Sequence, residues 1–199
     1  MASTDDYFYA PALPAGLQQE IVQYYHTYIK PVHNMISLVS KNKNANGDVV
    51  TYFDVDKLNA DAYKSIEQKL PILSGGCLIS DLNPGGSTMP HTDAGFDESV
   101  RKSALNFPIE GCTVDSPTVF YTNSGSTHYD EKTKTIFAND VNSLIKVAEC
   151  YMINDPVLLN TKQWHSITNL GKTKRVVLSL SIKDGMSYYD AMEYFKWME

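Results

Sequence analysis

Between Gly76 and Lys183 the chain breaks into short β-like runs, each bounded by turn-forming Gly, Pro, Asn, Asp or Ser. That texture specifies a stack of short strands. Strands are expected at residues 77–81, 89–93, 103–109, 118–121, 135–138, 146–152, 157–160, 165–169 and 174–183. Residues 123–130 are polar and read as a loop, the tip of a hairpin between Tyr121 and Thr135. The last run, Arg-Val-Val-Leu-Ser-Leu-Ser-Ile over 175–182, is the most informative. Alternate residues of a strand point to opposite faces. Val176, Leu178, Leu180 and Ile182 therefore form an apolar face suited to packing on helices. Arg175, Val177, Ser179 and Ser181 form a mixed face suited to a polar cavity.

The first third reads mainly helical. Leu17, Ile21, Val22, Tyr25 and Ile29 recur at helical spacing, and Pro31 is expected to break the pattern. A second helix is expected from about Asp56 to Leu70, with Leu58, Ala62, Ile66 and Leu70 on one face and Pro71 closing it. A short amphipathic helix, from Tyr188 to Trp197, ends the chain. Two helices, then strands, then a helix specify an α+β domain, a jelly roll or β barrel buttressed by helices. With 199 residues the chain suits a single domain, 1–199. Residues 1–75 would be mainly helical support, 76–183 the β core and 187–198 the C-terminal helix.

Composition narrows the function classes. The net charge is −6 and no Lys/Arg-rich run marks a nucleic-acid surface. Lys41 and Lys43 are diluted by asparagines and read as a solvated loop. No apolar run approaches the ~20 residues needed to cross a bilayer. The polar, acidic N-terminus does not read as a signal peptide. Cys77, Cys112 and Cys150 lack the close spacing of a zinc site and read as buried reduced thiols. These readings point to a cytoplasmic protein.

His91 and Asp93 lie in Met-Pro-His-Thr-Asp, and His165 in Gln-Trp-His-Ser-Ile. Two His and one carboxylate can cap one triangular face of a metal ion and leave the opposite face open, the ligand set of non-haem Fe(II) oxygenases. His91 and Asp93 are two apart, so both can reach one metal from one strand end, with the third ligand on a neighbouring strand. The Pro-Gly-Gly at 84–86 punctuates a turn before that strand. It is not a phosphate loop, since no Gly-Lys-Ser/Thr follows. Arg175 in an apolar strand is costly unless paired. Its planar fork suits a carboxylate, and no acid follows it before Asp184. A ligand carboxylate is the expected partner; a salt bridge to a distant Asp or Glu is the structural alternative. Trp164, adjacent to His165, is expected to point away and pack. His26, His33 and His128 read as solvent-facing, although His128 would overhang the site if its loop were a lid.

Pro-Gly-x-x-x-x-Pro-His-Thr-Asp, then Ala-Leu-Asn-Phe-Pro-Ile, then His-Ser-Ile-Thr-Asn-Leu and Arg-Val-Val-Leu-Ser-Leu together resemble the Fe(II)- and 2-oxoglutarate-dependent oxygenase superfamily. Within it the chain is most similar to the aspartyl/asparaginyl β-hydroxylase-like group, with prolyl hydroxylases more distant. The resemblance spans Cys77 to about Lys183. It implies a double-stranded β-helix, a jelly-roll or cupin-like barrel. It implies Fe(II) on His91, Asp93 and His165, and 2-oxoglutarate held at its distal carboxylate by Arg175, with O₂ as the second cosubstrate. These four residues are the expected catalytic set. The products would be succinate, CO₂ and a hydroxylated substrate. Asn106 occupies the place where the β-hydroxylase-like group usually carries a cosubstrate-contacting histidine, and Ala104 replaces a basic residue. Val177 stands where some relatives carry serine. Asn106, Tyr121 and Ser181 are the further cosubstrate candidates. The substrate is expected to be an amino acid, peptide, protein side chain or other small molecule. Residues 94–102 and 121–135 are candidate lids. Two readings compete: a cupin-type metalloenzyme that does not use 2-oxoglutarate, in which Arg175 would have no task, and a non-catalytic β-sandwich binding module. The sequence does not specify an oligomeric state.

Overall fold

The computed structural model describes residues 4–33, 49–54, 59–93, 102–131, 135–183 and 185–198. Among the described residues twelve strands form two six-stranded sheets that face each other. In chain order they are β1 (Phe8–Tyr9), β2 (Val49–Asp54), β3 (Leu73–Leu82), β4 (His91–Thr92), β5 (Ser103–Glu110), β6 (Thr118–Asn123), β7 (Thr127–Asp130), β8 (Thr135–Ala138), β9 (Leu144–Cys150), β10 (Val157–Asn160), β11 (Trp164–Ile167) and β12 (Arg175–Ile182). The first sheet has the order β1-β10-β5-β12-β3-β2 and the second β7-β8-β4-β11-β6-β9. All the pairings are antiparallel. The result is an α+β double-stranded β-helix.

The alternation in β12 divides the interior as its sequence requires. Val176, Leu178, Leu180 and Ile182 join the larger core, built with Leu17, Ile21 and Ile29 of the N-terminal helix and Ala191 and Phe195 of the C-terminal one. Val177, on the other face, packs between the sheets with Phe120, Met152, Val157 and Leu159. Three helices cover the outer face of the first sheet: α1 (Leu17–Tyr24), α2 (Ala60–Lys69) and α3 (Tyr188–Met198). The Asn59 side chain caps α2 by accepting from the Ala62 amide at 3.0 Å. The expected start of α2 at residues 56–58 lies outside the described residues, as do Lys41 and Lys43.

Four expectations need correction. Pro31 does not end the first helix, because helical structure continues through residues 30–33. α1 runs into a wide π-type turn, Tyr25–Ile29, in which the Lys30 amide donates to the Tyr25 carbonyl five residues back. That widening relieves the close i−4 carbonyl approach by which proline normally breaks a helix. The mainly helical first third also supplies two strands, β1 and β2, that its sequence reading did not include. Residues 127–130 form strand β7 rather than loop, pairing with β8 from Thr127↔Ala138 to Asp130↔Thr135. The segment after Tyr121 is therefore not the tip of a β6–β8 hairpin: β6 pairs with β9, while β7 and β8 add to the free edge of β4. Fourth, the thiol of Cys112 is only partly buried, whereas Cys77 and Cys150 are buried; all three are free. Among the described residues no helix is long and apolar enough to cross a membrane.

Candidate metal centre and ligand cavity

β4 and β11 are paired so that His91 and His165 are direct cross-strand partners. Their imidazoles project from one face with ring centroids 4.5 Å apart. Nδ1 of His91 lies 2.7 Å from the Met89 carbonyl oxygen, and Nδ1 of His165 lies 2.9 Å from that of Gln163. Each ring thus donates from Nδ1 to the carbonyl two residues before it. That bond favours the tautomer with its proton on Nδ1, the form in which an imidazole binds a cation through Nε2. Asp93 follows the end of β4, and its amide donates to the Thr161 carbonyl at 2.9 Å. Its Oδ1 comes within 3.4 Å of His91 Nε2. One ligand atom from each of His91, Asp93 and His165 fits within 4.8 Å of the others.

The approach to this site is held by the same two segments. The Thr88 amide donates to the Ile167 carbonyl, and the Ile167 amide donates to Thr88 Oγ1, both at 2.9 Å. Burial works against protonation of His91, but the hydrogen bond and charge of Asp93 and the Met89 carbonyl outweigh it, so its pKa lies above the ordinary histidine value.

Behind the three residues a cavity runs between the sheets. Arg175 lines it, together with Ser80, Asn106, Thr118 and Ser179 among the polar side chains and Leu78, Met152, Leu159, Ile167 and Val177 among the apolar ones. Arg175 is fully buried, at 0 % exposure, and none of Nε, Nη1 and Nη2 has a hydrogen-bond partner among the described residues. The salt-bridge alternative is not what the described residues present. Asp81, the nearest acid along the paired strand β3, is taken by Lys174 at 3.0 Å and faces His33 at 3.9 Å. Burial pushes the Arg175 guanidinium below its ordinary pKa, opposed by the thiols of Cys112 and Cys150.

The other sequence candidates sit as follows. Asn106 lines the cavity, but its amide is engaged: Nδ2 donates to the Ala104 carbonyl at 3.0 Å, and Oδ1 accepts from Ser179 Oγ. Tyr121 and Ser181 are not among the cavity-lining residues; the Tyr121 hydroxyl is 2.9 Å from Ser166 Oγ. Trp164 is half-buried. His26 and His128 are exposed, but His33 is buried, contrary to its expected solvent-facing position. The β7–β8 hairpin flanks the metal-bearing strand. Phe137 packs against His91, and exposed His128 stacks on Phe137, with centroids 5.8 and 5.6 Å apart. The other candidate lid, residues 94–102, lies outside the described residues except for Lys102. Ser80, Thr118, Thr161 and Ser179 are cavity residues that the sequence did not single out as candidates. Only Ser179 had a signal, its place on the Arg175 face of β12.

No family model and no curated protein matches this chain. Among solved structures it is similar to AviO1 from Streptomyces viridochromogenes, with a TM-score of 0.52 and 9% identity over 91% of this chain and 91% of that one. A prolyl hydroxylase from Trichoplax adhaerens, solved with a hypoxia-inducible-factor peptide, aligns over 93% of this chain and 85% of its own at 13% identity and a TM-score of 0.48. A Pseudomonas putida prolyl-4-hydroxylase aligns over 88% and 91% at 16% identity and a TM-score of 0.46. At these identities the likeness is one of fold alone. Fold and site together define a double-stranded β-helix protein with a His–Asp–His group that could hold a metal at the mouth of a cavity.

Proposed function

We propose that this protein is an Fe(II)- and 2-oxoglutarate-dependent oxygenase that hydroxylates a C–H of an amino acid, peptide or other small substrate. The observation that carries the reading is Arg175, a buried guanidinium without a partner among the described residues, in the cavity whose mouth holds His91, Asp93 and His165. An isolated buried cation is strongly unfavourable. A ligand carboxylate entering this cavity supplies the missing partner in the bidentate geometry that a guanidinium favours. The donor set fits a divalent transition metal with open positions: two imidazoles with Nε2 presented and one carboxylate. Bound Fe(II) would couple the decarboxylation of 2-oxoglutarate to succinate and CO₂ with oxidation of the substrate. The protein holds the two imidazoles through Met89 and Gln163, keeps Asp93 in place through Thr161, and anchors the cosubstrate at Arg175. A cupin enzyme that does not use 2-oxoglutarate would leave Arg175 without a task.

The test is a screen for O₂-dependent succinate release with Fe(II) and 2-oxoglutarate against amino acids and peptides, using His165→Ala as the blank. Stoichiometric Mn(II) or Fe(II) binding that disappears in His165→Ala is expected. Failure of the native protein to bind either metal would refute the proposal and favour a binding module.

A further inference from the structure

The two histidines of the metal centre belong to a longer row of rings. His128, Phe137, His91, His165 and Phe120 are successive direct partners across β7, β8, β4, β11 and β6. Direct partners project from one face of a sheet, so the five rings stand side by side. Their centroids are 5.6, 5.8, 4.5 and 6.1 Å apart in that order. Phe120 closes the inner end, packed between the sheets. At the outer end the row leaves the cavity. Neither Phe137 nor His128 lines it; Phe137 is half-buried and His128 exposed.

An exposed side chain on an edge strand is ordinarily free to turn, and fixing it costs entropy. His128 lies on the edge strand β7 and is held twice. Its ring stacks on Phe137 with 25° between the planes. Its Nδ1 lies 2.6 Å from Asn139 Oδ1, and Asn139 is oriented in turn by donating from Nδ2 to Ser126 Oγ at 3.1 Å. Nδ1 is therefore the donor, and Nε2 is the acceptor of the neutral ring. Nε2 meets no partner among the described residues. Cross-strand ring pairing accounts for the stack. It does not account for a side-chain relay that selects one tautomer of an exposed imidazole.

We infer that Phe137 and His128 are the shelf on which the substrate is recognised, and that the shelf takes an aromatic ring bearing an N–H, such as the indole of a tryptophan residue. Phe137 supplies the ring contact, and His128 Nε2 accepts the N–H. Asp130, on the same face of β7, and the net charge of −6 favour an uncharged ring over one carrying a phosphate. With strands about 4.8 Å apart, the shelf stands roughly 5–10 Å from the metal ligands. The C–H presented to the metal then belongs to another part of the same amino acid or peptide. The inference rests on the oxygenase reading of the site, and the experiment separates the two.

Mn(II)-loaded protein with 2-oxoglutarate and without O₂ is titrated with N-acetyl-tryptophanamide and with its 1-methyl-indole counterpart, which lacks the N–H. The relaxation that Mn(II) imposes on the indole protons reports binding near the metal. Native protein should relax the parent probe and bind the methylated one about threefold to tenfold more weakly, the loss of one hydrogen bond. His128→Phe keeps a ring against Phe137 and removes the acceptor. It should melt close to the native protein and bind the two probes alike. If the native protein binds no Mn(II) or no 2-oxoglutarate, the oxygenase reading falls and this inference with it. If both bind but the indole protons are not relaxed, or native protein takes the two probes equally, the inference alone is overturned; that comparison needs no variant. A preference that survives in His128→Phe also overturns it.

Discussion

Replacing Arg175 with methionine should make the protein more stable and, on the proposed function, less able to bind 2-oxoglutarate. The guanidinium is completely buried, and its three nitrogens lack partners among the described residues. Exchanging even a paired buried ion for apolar side chains of similar volume stabilises proteins by roughly 1–4 kcal/mol. Here no partner offsets desolvation, so about 2 kcal/mol is a modest expectation. Methionine adapts to an irregular space beside Val177 and Leu78. For a domain of this size each kcal/mol moves the melting temperature by about 2–4 °C, so the variant should melt about 4–8 °C higher in EDTA. With Mn(II) and 2-oxoglutarate the order should reverse. Ligand at about a hundred times its Kd adds roughly 2.7 kcal/mol to the native protein. The variant, lacking its charge-assisted contact, should gain little. Thermal melts of both proteins in both conditions give the answer. A variant that melts lower in EDTA and keeps the full ligand shift would show that Arg175 is a structural residue with a protein partner, and the cosubstrate assignment would be refuted.

Stability should also depend on His33. Burial lowers its pKa from 6.5, partly opposed by Asp81, while Lys174 adds to the lowering. The unfolded chain then binds the proton first. This contribution is present above about pH 6.5 and is lost as pH falls toward the lower folded value. His33→Asn should flatten the dependence of urea unfolding on pH below about 6.5; an unchanged slope would exclude His33 as its source. Gly111→Ala should cost at least about 2 kcal/mol, because φ is +62° and a Cβ would stand 2.0 Å from the Lys174 carbonyl oxygen. A melting temperature within a degree of native would contradict that geometry. Tyr121→Phe removes a hydroxyl bonded to Ser166, outside the cavity lining. Its 2-oxoglutarate affinity should stay within about twofold; a larger loss would return Tyr121 to the site.

The strands were legible wherever burial imposed alternation. β12 is the clearest case: one face enters the helix-covered core and the other reaches the cavity. β2 carried a readable signal, Val-Val-Thr-Tyr-Phe, that the helical reading of the first third passed over. β7 had no such signal. Ser-Thr-His-Tyr-Asp is polar, half of β7 is exposed, and the strand exists through its ladder with β8. A strand held by pairing rather than burial leaves little periodicity to read. Nor could local sequence say that β6 and β9, separated by a whole hairpin, are neighbours.

The site divides in the same physical way. His91, Asp93, His165 and Arg175 stood out because each is unusual for its surroundings: a cation in an apolar strand and imidazoles placed among strand ends. Ser80 and Thr118 did not, because a hydroxyl residue in a strand is ordinary and costs nothing when it is paired. What distinguishes them is that no donor or acceptor among the described residues meets them, a property of the assembled sheets that no single segment encodes. His33 was misread for the converse reason. A histidine near the end of a helix reads as exposed, and only the packing of that helix end over β3 brings it to Asp81. Residues conspicuous in the sequence thus locate the cavity, whereas its buried hydroxyls become legible only once the two sheets are assembled.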